Sequence, residues 1–141
     1  MRKFVTTAMV CGGLLAAAAM SGPAWSADAQ PPWAPVEVSV YQSDNGAFNF
    51  VNDDGLPFFS NDRDVGPKVG CEDECTGLTW FPLFSFEGAM PRGDWSIVRR
   101  ADKSPQWAFK GKAVYNYVGE GTRDEILALA QKDGHWHQVS P

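Results

Sequence analysis

Histidine is almost missing from this chain. Only two stand among 141 residues, beside three cysteines and twelve lysines and arginines. A zinc site of nitrogen ligands alone is therefore excluded, because such sites take three or four protein ligands. There is no Cys-x-x-Cys-His, which excludes covalent c-type haem. No G-x-S-x-G elbow surrounds any serine, and no Gly-rich loop ends in Gly-Lys-Ser/Thr, so neither an α/β-hydrolase nucleophile nor a phosphate cradle is encoded. Cations are also scarce: seventeen acids outweigh twelve bases for a net charge of −5. An acidic domain repels phosphate backbones and anionic lipid, which argues against nucleic acid and membrane surfaces as partners. Beyond the first twenty residues no apolar run is long enough to span a bilayer.

What is present begins with an address. Met1-Arg2-Lys3 is a short cationic start, Phe4 to Met20 is apolar and Ala-rich, and Ala27-Asp28-Ala29 is an A-x-A cleavage site with Ala24-Trp25-Ser26 as second choice. Residues 1–29 read as a cleaved secretory signal. Cys11 stands too early, after Val10, to be a lipid-attachment cysteine, and is expected to leave with it. The remainder is about 110 residues, one ordinary domain, expected to be exported to the periplasm or beyond and to carry no transmembrane segment after cleavage.

Residues 30–47 form a Pro-rich leader, "QPPWAP" and onward, with a first strand, and residues 48–141 a single domain. Short segments broken by Gly, Asp, Asn and Pro dominate. Phe48 and Phe50 alternate before Asp53-Asp54-Gly55, and Leu56 and Phe58 after it, which predicts a hairpin. "WSIVRR" predicts a strand over 95–100. "QWAFKGKAVYNYV" predicts two strands around Lys110-Gly111-Lys112, and "HWHQV" a closing strand. One segment is helical in pattern. Thr122 with Glu125 is a capping box, Asp124 and Glu125 load the first turn, and Gly134 stands just past the end, so a short helix is predicted over 123–132. The class is mainly β. An internal echo runs through it: with Gly55 laid on Gly111, Phe58-Phe59 falls on Val114-Tyr115, Asp64 on Glu120 and Trp80 on Trp136. Two similar hairpin-rich repeats, packed as a small sandwich or barrel-like domain, are the expected architecture, burying both aromatic sets between them.

Cys71 and Cys75 are an even pair in an exported chain, which favours a disulfide. Glu72, Asp73 and Glu74 lie between them and disfavour a thiolate, and so disfavour redox catalysis. The alternative is a copper or zinc site of Cys71, Cys75, His135 and His137, since both imidazoles project from one face of a strand. Otherwise the two histidines flank an inward Trp136. "NDDG" and "NDRDVG" are oxygen-rich but lack a twelve-residue calcium loop with a closing Glu, and turn chemistry accounts for them. No two acids stand out as a glycosidase pair, although an envelope glycan hydrolase is a second alternative. Exposed aromatics beside Asp and Asn can stack on sugar or grip a protein, and Trp33, Tyr41, Trp95 and Trp107 are the candidate binding surface.

Tyr115-x-Tyr117-x-x-Glu120, the degenerate copy Phe59-x-Asn61-x-x-Asp64, Cys71-x-x-x-Cys75 with Trp80-Phe81-Pro82-Leu83, "GDWSIVRR" and the closing Trp136-His137 occur in that order. Over roughly 48–141 the chain resembles the secreted repeat of unknown function family, which includes exported proteins and lipoproteins with Tyr-x-aromatic-x-x-Asp repeats. The resemblance implies a repeat motif at Phe59, Asn61, Asp64, Tyr115, Tyr117 and Glu120, and no agreed catalytic residues. It departs at Phe59, at Asn61, at Glu120 where the pattern has Asp, at Phe81 where it has Pro, and in the helix at 123–132, where the family pattern has a Gly-rich loop. The expected function is a non-enzymatic binding module of the cell envelope without a cofactor, its partner an envelope protein or glycan.

Overall fold

A computed structural model describes residues 33–141. The signal segment and cleavage site expected from the sequence lie outside the described residues. The chain is mainly β. It runs β1 (Ser39–Gln42), β2 (Phe48–Val51), β3 (Phe58–Asn61), a one-turn helix α1 (Asp73–Thr76), β4 (Trp80–Pro82), β5 (Trp95–Arg99), β6 (Pro105–Phe109), β7 (Lys112–Ala113), β8 (Tyr115–Tyr117), α2 (Arg123–Asp133) and β9 (Trp136–Gln138). Three sheets result: β1-β2, an antiparallel β4-β8-β3-β9, and β5-β6-β7. The four-stranded sheet is open, with β4 and β9 at its edges, so no barrel closes.

The central sheet is symmetric about one pair. Phe59 lies opposite Tyr115 in the β3–β8 ladder. Trp80 lies opposite Tyr117 and Pro82 opposite Tyr115; Trp136 lies opposite Asn61 and Gln138 opposite Phe59. The shift that lays Gly55 on Gly111 exchanges each of these pairs for its counterpart. Successive strand residues point to opposite faces, so this sheet has a core on each. Phe59 and Tyr115 join Trp80, Trp136 and the α2 residues Ile126 and Ala130. Phe58 and Val114 join Phe50, Trp95, Trp107 and Phe109 from the two smaller sheets. Trp80 stacks on Trp136 at 4.1 Å between ring centroids. Phe50 meets Phe109 edge-on at 4.9 Å and Trp95 at 5.1 Å. Such pairs add about 0.5–1.5 kcal/mol each beyond the area they bury.

Three features differ from the sequence-based expectation. Asp53-Asp54-Gly55 does not turn a hairpin of β2 onto β3. Asn52 accepts the amides of Asp54 and Leu56 on its side-chain oxygen, but pairing stops at a single Val51–Pro57 bridge. Pro57 has no N–H to continue a ladder, so β2 pairs with β1 and β3 leaves for β8. The leader is also part of the core from its fifth residue: Ala34 and Val38 are fully buried, and Trp33 meets Phe50 edge-on. Finally, α1 forms in the cysteine segment, with Cys75 inside it.

The Lys110-Gly111 turn is as its residues suggest. Both have positive φ, 48° and 80°, and Phe109 pairs with Lys112, the geometry of a tight hairpin matched to strand twist. The long helix also matches its signals. Thr122 caps it, accepting from the Glu125 amide while the Glu125 carboxylate accepts from the Thr122 amide. Gly134, at φ 80°, closes it with an N–H to Ala130.

Replacing Thr122 by Ala should cost about 1 kcal/mol in urea unfolding. The hydrogen bonds from Thr122 hold the Glu125 carboxyl below its usual range. Its share of the cap should therefore be present above the ordinary carboxylate pKa and disappear as the pH falls through the lowered value. A stability difference between wild type and Glu125→Gln that is unchanged from pH 7 to pH 3 would contradict this.

Candidate functional site

The cysteine segment is built around a carboxylate. Asp64 is 8% exposed. Its Oδ1 accepts the backbone N–H of Gly70 at 2.8 Å and of Cys71 at 2.9 Å, and its Oδ2 accepts the Tyr115 hydroxyl at 2.9 Å. Arg100, also buried, donates to the Cys71 carbonyl, to Glu72 at 2.6 Å and to Gln106; Gln106 in turn donates to the Val114 carbonyl. Burial, then the Asp64 charge, pushes the Tyr115 phenol well above its ordinary value. Cys71 and Cys75 form a disulfide, with Cys71 fully buried. As a disulfide the pair offers no thiolate to copper or zinc. Of the residues that the resemblance implies as a repeat motif, Asp64 and Tyr115 are thus joined directly. Phe59 and Tyr117 pack edge-on against Trp80, Asn61 accepts the Arg63 amide, and Glu120 is exposed.

His135 and His137 are exposed and flank the buried Trp136. Both face Asp62, His137 Nε2 at 2.7 Å and His135 Nδ1 at 3.7 Å. The fully buried Cys71 belongs to the Asp64 network and is not part of this cluster. No group of three or more ligands arranged to hold a metal occurs among the described residues.

The four aromatics expected on a binding surface separate. Trp95 and Trp107 are core, 0% and 3% exposed, which corrects their assignment: β5 and β6 turn them inward against Phe50 and Phe109, where the apolar area needs covering. Trp33 is half-exposed. Tyr41 lines a polar groove of about 570 Å³ with Asn45, Asn49 and Gln138, but the Arg123 guanidinium lies 3.6 Å over its ring and covers that face. Arg123 also donates through Nε and Nη2 to the Gly55 carbonyl, so this stack ties α2 to the sheet.

The exposed apolar residues lie elsewhere. Leu78 is 97% exposed, Phe81 52%, Phe84 39%, Phe86 65% and Met90 74%. Phe81 and Phe84 meet edge-on at 5.5 Å. They line a groove of about 360 Å³ between the disulfide loop and β4, to which Glu72, Asp73 and Asp102 contribute the acidic part. Glu72 is matched by Arg100. The Asp73 carboxylate is in no ion pair among the described residues, and hydrogen bonds from Ser104 hold Asp102 below the usual carboxylate range. The groove therefore presents two carboxylates outside any ion pair beside two aromatic rings. Sequence reasoning missed it, although a signal existed: "WFPLFSFEGAM" carries more apolar residues than a strand interrupted by Pro82 and Gly88 can turn inward.

No family model, no curated protein and no solved structure matches this chain.

Two outcomes test the Asp64 network. Tyr115→Phe leaves the buried carboxylate short of one donor and should cost about 1–3 kcal/mol of stability. The raised phenol pKa implies a contribution complete below pH about 10 and lost as the pH rises above it, so Tyr115→Phe should also flatten the alkaline fall in stability. In Gly70→Ala a Cβ would overlap the Arg63 carbonyl, and the variant should unfold at lower urea than wild type by more than the Tyr115→Phe variant does.

Proposed function

We propose that this protein is an exported, non-enzymatic binding module of the bacterial cell envelope, related to the secreted repeat family, which docks a protein partner in the groove beside its disulfide loop. The observation that carries the reading is the Phe81–Phe84 ring pair exposed beside the carboxylates of Asp73 and Asp102, neither of which is in an ion pair with a side chain among the described residues. Soluble domains seldom leave such large apolar side chains clustered without use. Aromatic faces attract cations, and carboxylates attract them further. The partner is therefore a segment presenting lysine or arginine next to an aliphatic residue, and the acidic net charge of the chain speeds its approach. The Cys71–Cys75 disulfide, the signal segment and the absence of any helix able to cross a membrane among the described residues agree with an exported protein. The two-repeat reading is supported by the strand register, symmetric about Phe59 and Tyr115.

Trp80 lines the same groove, so its fluorescence reports occupancy. A hexapeptide of alternating lysine and leucine should quench it saturably, and more weakly as salt rises. Phe84→Ala and Asp73→Asn should each weaken binding about tenfold, equivalent to about 1.4 kcal/mol. The same peptide with acetylated lysines should not bind. Equal affinity for the acetylated peptide, or unchanged affinity in both variants, would contradict the proposal.

A further inference from the structure

A second groove shares no lining residue with the one beside the disulfide loop and does not depend on it. It measures about 570 Å³ and lies between the β1–β2 hairpin and the first turns of α2, with Gln138 of β9 also lining it. Its polar lining falls into two sets. Ser43, Asn45 and Asn49 hold the hairpin loop in shape. Asn45 Oδ1 accepts the Ala47 amide at 3.0 Å, Asn49 Nδ2 donates to the Ser43 hydroxyl at 3.3 Å, and Asn49 Oδ1 accepts the Ser140 hydroxyl at 3.1 Å. The other set is Tyr41, Asp44, Asp124 and Gln138, whose side-chain polar atoms make no hydrogen bond or ion pair among the described residues. Arg123 belongs to both. Its Nε and Nη2 donate to the Gly55 carbonyl and its guanidinium lies over the Tyr41 ring, which fixes the side chain and leaves Nη1 without an acceptor among the described residues. These free groups are within reach of a solute. Asp44 and Asp124 are exposed. The unpartnered atoms of Tyr41, Arg123 and Gln138 are not among those sealed from solvent, which belong to Glu37, Ser85, Trp95 and Trp107. Ala47, Val51 and Leu127 complete the lining.

We propose that this groove binds a neutral glycan chain through the hydroxyls of its pyranose rings. The free groups combine acceptors, the carboxylates of Asp44 and Asp124, with donors, Arg123 Nη1 and the Gln138 amide, and the Tyr41 hydroxyl can act as either. A sugar hydroxyl donates and accepts at once, so neighbouring hydroxyls satisfy a carboxylate and the guanidinium together. The C–H face of the ring rests on Val51 and Leu127. Other classes fit less well. An anion meets like charge at Asp44 and Asp124, and an ammonium meets it at Arg123. An apolar group strips water from all of these side chains and replaces none of their hydrogen bonds. The loop bonds and the fixed Arg123 shape the walls before a ligand arrives, which lowers the ordering cost of binding. The volume falls within the usual range of about 300–1,000 Å³ for ligand sites, and an open groove lets a chain continue beyond the bound ring.

The test is a titration of the ¹⁵N-labelled protein with maltotetraose, cellotetraose and N-acetylchitotetraose, followed at the Gln138 side-chain amide. At least one of these chains should shift that resonance saturably. Tetragalacturonate and fully deacetylated chitotetraose, one anionic and one cationic, should bind at least about tenfold more weakly than the best neutral chain. So should the monosaccharide of that chain, which separates a glycan from a free sugar as the ligand. Asp44→Ala and Asp124→Ala, at exposed positions, should keep the fold and each weaken binding about tenfold. Asp53→Ala, an exposed carboxylate in neither groove, should leave it unchanged. A Gln138 resonance that none of the three chains moves would overturn the proposal. So would a charged chain or the monosaccharide binding as tightly as the neutral chain, or unchanged affinity in both groove variants.

Discussion

A carboxylate buried without donors would cost several kcal/mol, and Asp64 is buried. Much of the fold follows from how its needs are met. Two donors are the amides of Gly70 and Cys71, which fixes the chain entering the disulfide segment. The third is the hydroxyl of Tyr115, which belongs to the other half of the chain. One side chain thus holds a loop in place and fastens that loop to the middle of the central sheet. Arg100 extends the same network, matching Glu72 and binding the Cys71 carbonyl from a third element. The disulfide closes a ring too short to restrict the unfolded chain greatly. Its larger role is local: it holds α1 in place beside β4.

That rigidity gives the functional reading its physical basis. A docking groove gains affinity when its walls need no ordering upon binding. One wall here is the clamped loop carrying Asp73, and another is β4 with the residues just after it, carrying Phe81 and Phe84. The sheet edge itself is a poor docking element, since Pro82 interrupts its hydrogen-bonding capacity. Specificity in this proposal comes from the carboxylates and the apolar contribution from the rings, as in other interfaces that pair an aromatic centre with a charged rim.

The features legible in the sequence are those set by neighbours along the chain. The capping box at Thr122 and Glu125, the Lys110-Gly111 turn and the exposed-buried-exposed order of His135, Trp136 and His137 each depend on a few adjacent residues. The mainly β class and the Cys71–Cys75 bond followed from composition and context. What failed depended on distant packing. Trp95 and Trp107 look like surplus aromatics until β5 and β6 are placed over Phe50. The hairpin at Asp53-Asp54-Gly55 looks sound until Pro57 denies it a ladder and β8 takes β3 instead. The Phe81–Phe84 groove needs the disulfide loop and the turn at 100–102, which come together only in the folded chain. Asp64 read as a turn former or a motif member, and nothing nearby announced that it would be buried under a tyrosine fifty residues away.

The central claim is that the disulfide loop is a rigid wall fixed through Asp64, and hydrogen exchange addresses it most directly. In the oxidised protein the amides of Gly70 and Cys71 should exchange only through global unfolding, with the same free energy as the β3 and β8 amides at the centre of the sheet. Exchange of those two amides by local opening, while β3 and β8 stay protected, would show that the loop is loose and that Asp64 does not hold it.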